Sequence, residues 1–305
     1  MLNNRVIAAL ATAAVITHPV ANADDVEMFA EGVVSTALPE FATSFSPDGS
    51  EVYFNRMSED RKELRLWYST MVDGAWTEAQ PLPFSDGNYR DVDPFVSPDG
   101  NRLYFSSTRP LSGDEAKDYD LWYSERTDDT WGEPINIGPR INTASHEIYS
   151  TLSHNGNIYY TAFDQGFENV SIYRAEWRDG RFATPERLVI GSGDLRLTNP
   201  TIAPDESYLV MVADPAGQAD LYVSYRRANG SWCASLPLAA EVNSTFTEFA
   251  PGFSPDGSRL FFTSERPGMV PAADDGGRPP GDIYSIDAVK ALPPPPDINP
   301  AEPLP

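Results

Sequence analysis

The chain has 305 residues, with 45 acidic side chains against 22 basic ones and a formal charge of −23. So acidic a surface excludes nucleic acid and anionic lipid as expected partners, because binding phosphate needs a basic footprint. A single cysteine, Cys233, allows no internal disulfide, and beyond residue 23 only His146 and His154 remain as histidines. A zinc centre and a Ser-His-Asp triad are therefore not expected, and neither is any other metal or cofactor.

Residues 1–23 read as an export signal: Arg5, then the apolar run from Val6 to Ile16, then the small-residue site Ala21-Asn22-Ala23. The run is shorter than the roughly 18 apolar residues that a membrane span requires. Export without membrane insertion is the expectation, into the periplasm or the medium.

From residue 24 to 292 one phrase recurs. It reads Phe45-Ser46-Pro47-Asp48-Gly49, Val96-Ser97-Pro98-Asp99-Gly100, Leu152-Ser153-His154-Asn155-Gly156 and Phe253-Ser254-Pro255-Asp256-Gly257. Ile202-Ala203-Pro204-Asp205-Glu206 is a degenerate fifth copy. The steps of 51, 56, 50 and 51 residues (46 to 97 to 153 to 203 to 254) have the period of a propeller or another repeat array. In each copy an apolar stretch enters the turn, where Pro presets φ and Gly takes the left-handed position. A second strand follows, such as Glu51-Val52-Tyr53-Phe54, and then a third, such as Leu66-Trp67-Tyr68-Ser69. Trp76, Trp131, Phe182 and Trp232 are expected to open a fourth strand. Four short strands per repeat make a propeller blade.

The last repeat runs out of strand after Ile286-Asp287. Val34-Ser35-Thr36-Ala37-Leu38-Pro39-Glu40 aligns with Val242-Asn243-Ser244-Thr245-Phe246-Thr247-Glu248, so residues from about 26 to 34 are expected to complete the last blade. Five blades closed this way are predicted. A six-bladed ring is the alternative and needs a repeat that is not visible. The proline-rich stretch 293–305 is expected to be an extended, loosely attached tail.

The phrases resemble the WD40-like PD40 repeats of TolB-type propellers. Ser-Ser-Thr-Arg-Pro (106–110), Thr-Ser-Glu-Arg-Pro (263–267), Asp120-Leu121-Trp122, and Ile141-Asn142-Thr143 followed by Glu147 also fit, as does Val242-Asn243-Ser244 followed by Glu248. The resemblance implies a propeller over residues 26 to 290. Such propellers include envelope binding proteins and some carbohydrate-active enzymes. Glu206, where the turn calls for Gly, departs from the pattern at an expected cost of about 1 kcal/mol. His154-Asn155 in place of Pro-Asp departs as well.

The candidate site is one mouth of the central channel. Glu40, Asp91, Glu147 and Glu248 occupy the inter-blade loops there, with Leu197 in the remaining blade. Arg56, Arg109 and Arg266 stand on the same face at the end of the second strand, with Asp164 and Asp214 in the other two blades. In one reading each acid pairs with an arginine of a neighbouring blade and holds the ring together. In the other, unpaired acids bind a ligand or act as an acid and base pair in glycoside cleavage. Asp93-Pro94 is similar to a dipeptide of five-bladed glycosidases, which alone carries no weight. A cation held by the acidic mouth is a third reading, although no loop shows the alternating Asp spacing of a calcium site. The loop from Gly268 to Gly281 is expected to wall this face, and Tyr89, Phe95, Tyr149 and Phe246 lie in or near its loops. The whole reads as an exported binding module of the cell envelope, taking an envelope protein or a small-molecule or glycan ligand. The alternative is a carbohydrate-active enzyme.

Overall fold

A computed structural model of the chain describes residues 26–113, 117–128, 130–164, 169–191, 195–214, 217–268 and 281–296. Residues 1–25, with the stretch expected to be an export signal, most of the segment 268–281 and residues 297–305 lie outside them.

The strands form five antiparallel blades in chain order. Blade 1 is Glu40–Phe45, Glu51–Met57, Leu64–Val72 and Gln80–Pro81; blade 2 is Asp91–Val96, Arg102–Ser107, Asp120–Thr127 and Ile135–Asn136. Blade 3 is Glu147–Leu152, Ile158–Asp164, Asn169–Ala175 and Glu186–Arg187; blade 4 is Leu197–Ile202, Tyr208–Ala213, Asp220–Tyr225 and Leu236–Pro237. Blade 5 is Glu248–Phe253, Arg259–Ser264 and Asp282–Asp287, completed by the N-terminal strand Glu27–Met28, with Glu27 opposite Ser285 and Met28 opposite Tyr284. Ser35 continues the closure, exchanging hydrogen bonds of 3.1 Å with the Ile283 backbone in both directions. After Asp287 comes the only helical turn among the described residues, Ala288–Ala291, whose Ala291 carbonyl accepts the Ala239 amide at 3.0 Å.

The repeated turn explains its own sequence. The Ser hydroxyl donates to the Asp carboxylate at 2.6, 2.5 and 2.6 Å in blades 1, 2 and 5. The same carboxylates accept the amides of Ser50, Asn101 and Ser258, so the turn is satisfied before any tertiary contact forms.

Alternation along the second strands sends neighbouring side chains to opposite interfaces. Val52 and Phe54 pack on Phe261 and Ile283 of blade 5, while Tyr53 packs on Leu103 and Phe105 of blade 2. Tyr160 joins Tyr104 between blades 2 and 3, and Tyr159 joins Leu209 and Met211 between blades 3 and 4. Val210 and Val212 meet Leu260 and Phe262 between blades 4 and 5. Five apolar interfaces thus close on one another and leave no free blade face. Cys233 is buried in the last of them.

The expected fourth strand is broken. Ala75–Trp76 and Thr130–Trp131 pair only with the tip of the third strand, and pairing resumes at Gln80 and Ile135. In blade 3 the aromatic sits in a separate hairpin, Trp177–Arg178 against Arg181–Phe182. The aromatics therefore cap the interfaces rather than open the outer strand: Trp131, for instance, donates its indole N–H to the Tyr53 hydroxyl of the neighbouring blade at 3.0 Å.

All five innermost strands carry a bulge after their second residue. Beside it Ala42, Asp93, Tyr149, Asn199 and Ala250 adopt φ of 53°, 59°, 53°, 49° and 49°. The bulge bends each strand around the axis and narrows the channel.

Candidate functional site

At the mouth predicted from the sequence, carboxylate and arginine meet inside one blade, not across two. Glu40 lies opposite Arg56 in the strand register and accepts its Nε at 2.7 Å. It also accepts the Thr36 amide at 2.9 Å and hydroxyl at 2.6 Å, while Arg56 Nη2 donates to the Val33 carbonyl at 2.7 Å. Glu248 repeats the arrangement with Ser244 at 3.0 and 2.6 Å, Ser264 at 2.7 Å and Arg266 at 3.3 Å; Arg266 donates to the Val242 carbonyl at 2.6 Å. Asp91, one methylene shorter, receives both hydrogen bonds from Arg109 Nη2 at 2.8 and 2.9 Å and one from Ser107 at 2.6 Å. Each pair grips the connector that arrives from the preceding blade. The expected cross-blade pairing is replaced because register places the two groups on adjacent strands of one sheet.

These acids do not face solvent. Glu40, Glu147 and Glu248 are 0 % exposed and Asp91 is 1 % exposed. Desolvation outweighs Arg56 and the Thr36 donors and holds Glu40 at about 6. Asp214 is exposed at the end of its strand, and the side chain of Asp164 lies outside the described residues. Tyr89 lies beneath the Arg109 guanidinium, Phe95 packs into the interface of blades 2 and 3, and Phe246 is half-buried. His146 accepts the Tyr119 amide through Nδ1 at 3.1 Å.

Glu147 differs from the other three. Thr143 donates its amide at 3.0 Å and its hydroxyl at 2.6 Å, but the position of the arginine is held by Asp164. Burial, with Asp120 and Asp118 adding to it, pushes the carboxyl up to about 7. The folded state then holds a proton that the unfolded chain releases, so the contribution of this group to stability is full below about pH 4.5 and is lost as pH rises through about 7. Glu147→Gln is expected to remove that slope and gain about 1–3 kcal/mol at pH 8 while changing little at pH 4.5. Urea titrations at both pH values check this; an equal change at the two would refute it.

On the axis, Tyr149 spans the channel and donates its hydroxyl to the Pro251 carbonyl at 2.5 Å, which Thr201 also reaches at 2.5 Å. A cavity of about 30 Å³ remains, lined by Thr43, Asp93, Ser150 and Gly252 among others. Burial pushes the Asp93 carboxyl up to about 7.

A large open concavity among the described residues lies on the opposite face, among the Ser-Pro-Asp-Gly turns, between blades 2 and 3. It measures about 580 Å³ and is lined by Arg102, Tyr104, Arg126, His154 and Trp177. Across Arg102, Tyr104 and Trp177 it continues into a second hollow of about 220 Å³ that adds Tyr123, Arg140 and Arg181. Arg126 is held by Glu51 at 2.7 and 2.9 Å, and Arg102 by Glu125 at 2.9 Å over the Tyr123 ring. Arg140 and Arg181 are exposed and form no ion pair among the described residues. In a chain this acidic, two such guanidinium groups beside three aromatic rings make a local basic, stacking surface. The cleft coincides with the departures from the repeat: His154-Asn155 and the additional Trp177–Phe182 hairpin. The first was visible in the sequence as a broken motif, but only the packing shows that it opens a cleft.

No protein-family model matches the chain, and no curated protein matches its sequence significantly. Among solved structures it is similar to a putative TolB from Agrobacterium tumefaciens, at 16 % identity over 85 % of this chain and 92 % of that one, with a TM-score of 0.49. It is also similar to TolB from Acinetobacter baumannii, at 16 % identity over 83 % of this chain and 55 % of that one, with a TM-score of 0.47. Hydrazine synthase from Kuenenia stuttgartiensis matches at 14 % identity over 82 % of this chain and 37 % of that one, with a TM-score of 0.50. At such identities the likeness concerns the fold. The chain is a five-bladed β-propeller.

Proposed function

We propose that the protein is an exported binding module of the cell envelope whose recognition surface is the cleft between blades 2 and 3, taking an anionic protein segment or glycan. The observation that carries the reading is the pair of arginines without an ion pair among the described residues, Arg140 and Arg181, beside Tyr104, Tyr123 and Trp177 in the hollow that continues the cleft of an acidic chain. Guanidinium groups pair with carboxylates through a planar fork, and the rings supply stacking area at low entropic cost. Export rests on the pattern of residues 1–23, and no helix among the described residues is long and apolar enough to cross a membrane. Glycoside cleavage by two of Glu40, Asp91, Glu147 and Glu248 is the rival, but their burial keeps a glycan from reaching them.

The test is calorimetric titration with an oligoglutamate peptide and, separately, with an oligogalacturonate. Binding of one of them, weakened at least about tenfold (about 1.4 kcal/mol) in Arg140→Glu/Arg181→Glu, is the expected result and names the ligand class. Equal binding by parent and double variant would place recognition elsewhere.

A further inference from the structure

The central channel contains two buried hydroxyls that the fold leaves without a partner and a buried carboxylate, Asp93, that has the Tyr149 backbone as a hydrogen-bond donor but no counter-charge. Asp93 occupies the left-handed position of blade 2, where the other blades carry Ala42, Tyr149, Asn199 and Ala250, so it is the only acid of that ring. It is 8 % exposed, and no lysine, arginine or histidine of the described residues pairs with it. Ser150 Oγ and Thr43 Oγ1 are buried without a hydrogen-bond partner, and both line the same cavity of about 30 Å³ as Asp93. Gly252 keeps the space tight, since a Cβ there would stand 2.7 Å from the Thr43 carbonyl oxygen.

Each of these groups is costly as it stands. A buried hydroxyl without a partner costs about 1–3 kcal/mol, and a buried carboxylate without a counter-charge costs several. The cavity exceeds the roughly 10–15 Å³ that one water needs. Water would satisfy the two hydroxyls but would not neutralise the carboxylate. A cation does both, and a donor set composed of oxygen alone selects a hard one over zinc or copper. Magnesium holds its own waters in a rigid octahedron, which so small a space does not admit; calcium accepts neutral oxygens in flexible geometry.

We propose that the channel is a cation site of the calcium class, held by Asp93 of blade 2, Ser150 of blade 3 and Thr43 of blade 1. The ion ties three first strands together at the axis. It is independent of the cleft, and it lies in the channel rather than at the acidic mouth. With a single carboxylate the affinity belongs in the weak range of extracellular modules, a Kd on the order of 10⁻⁴–10⁻³ M.

Thermal unfolding of the full chain, stripped with a chelator and then titrated with calcium chloride or magnesium chloride at constant ionic strength, tests the proposal. The expected result is a midpoint that rises with calcium, half-saturating within about 0.1–1 mM, and responds little to magnesium. The rise should vanish in Asp93→Asn. A rise undiminished in that variant would assign the effect to surface carboxylates and overturn the site. No rise with calcium up to about tenfold above that range would also overturn it, leaving a proton or waters in the channel. If Asp93→Asn does not fold, Ser150→Ala and Thr43→Val replace it: a calcium midpoint weakened several-fold supports the site, and an unchanged one overturns it.

Discussion

Arg109→Met is expected to destabilise the propeller by about 3–5 kcal/mol, the range for removing one partner of a buried ion pair. The side chain of Arg109 is 12 % exposed and that of Asp91 1 % exposed, so the aspartate left behind has little access to water. Ser107 and Ser85, both neutral donors, cannot replace two charge-assisted hydrogen bonds of 2.8 and 2.9 Å. The guanidinium also lies 5.3–5.9 Å from the ring centroids of Phe84, Tyr89, Phe105 and Trp122, and a thioether retains the contact area but not the charge. Asp91→Asn/Arg109→Met separates the two contributions. If the penalty is chiefly the orphaned charge, the double variant recovers most of the stability, because a neutral pair of similar volume often costs little. Urea denaturation of the two single variants and the double variant decides it. Losses that simply add would show that packing, not charge, holds this corner.

Much of the architecture was legible because it is periodic. The Ser-Pro-Asp-Gly turn satisfies itself locally, and the alternating strand behind it declares two buried faces, so a fifty-residue step and five copies lead to five interfaces. Closure was legible for the same reason, since the stretch before Glu40 repeats the stretch before Glu248. The meaning of the acid was not legible. Thr36 and Glu40, Thr143 and Glu147, and Ser244 and Glu248 stand four residues apart, a spacing that the repeat comparison displays. Whether the carboxylate turns inward to accept that hydroxyl or outward to meet a ligand depends on the path of the connector between blades. Position in a strand placed glutamate and arginine on one face; only register put them on adjacent strands of the same blade. The outer strand was read as continuous because a tryptophan favours strands, whereas Trp76 and Trp131 are drawn to cap the interfaces and the pairing breaks behind them. The cleft is a mismatch between two neighbours and has no signature in either repeat alone.

Glu206→Gly is expected to lose about 2–3 kcal/mol although it restores the residue that the turn calls for, and the contradiction shows what the fourth repeat did with its exception. Glu206 has φ of 62°, in line with 73°, 74°, 78° and 70° at Gly49, Gly100, Gly156 and Gly257, so the strain anticipated from the sequence is present. Glycine would relieve about 1 kcal/mol of it. The carboxylate, however, is 4 % exposed and serves two blades. It accepts Ser153 at 3.0 Å and Asn157 at 2.6 Å from blade 3, and Arg226 of its own blade at 2.7 Å. Arg174 of blade 3 approaches to 3.4 Å. Ser153 is free to turn there because its own repeat has Asn155 where the others have the turn aspartate. The two departures from the motif thus compensate each other across one interface. These donors hold the Glu206 carboxyl below the ordinary glutamate value despite its burial, so its contribution is present above the unfolded value and is lost as pH falls through the folded one. Both arginines keep partial access to solvent, with 16 % and 31 % of the side chain exposed, which places the loss below that of Arg109→Met. Glu206→Gln, retaining the strain and the size but not the charge, should fall below the parent by about as much as Glu206→Gly or more. A glycine variant as stable as the parent would mean that the turn geometry, not the shared carboxylate, governs this junction.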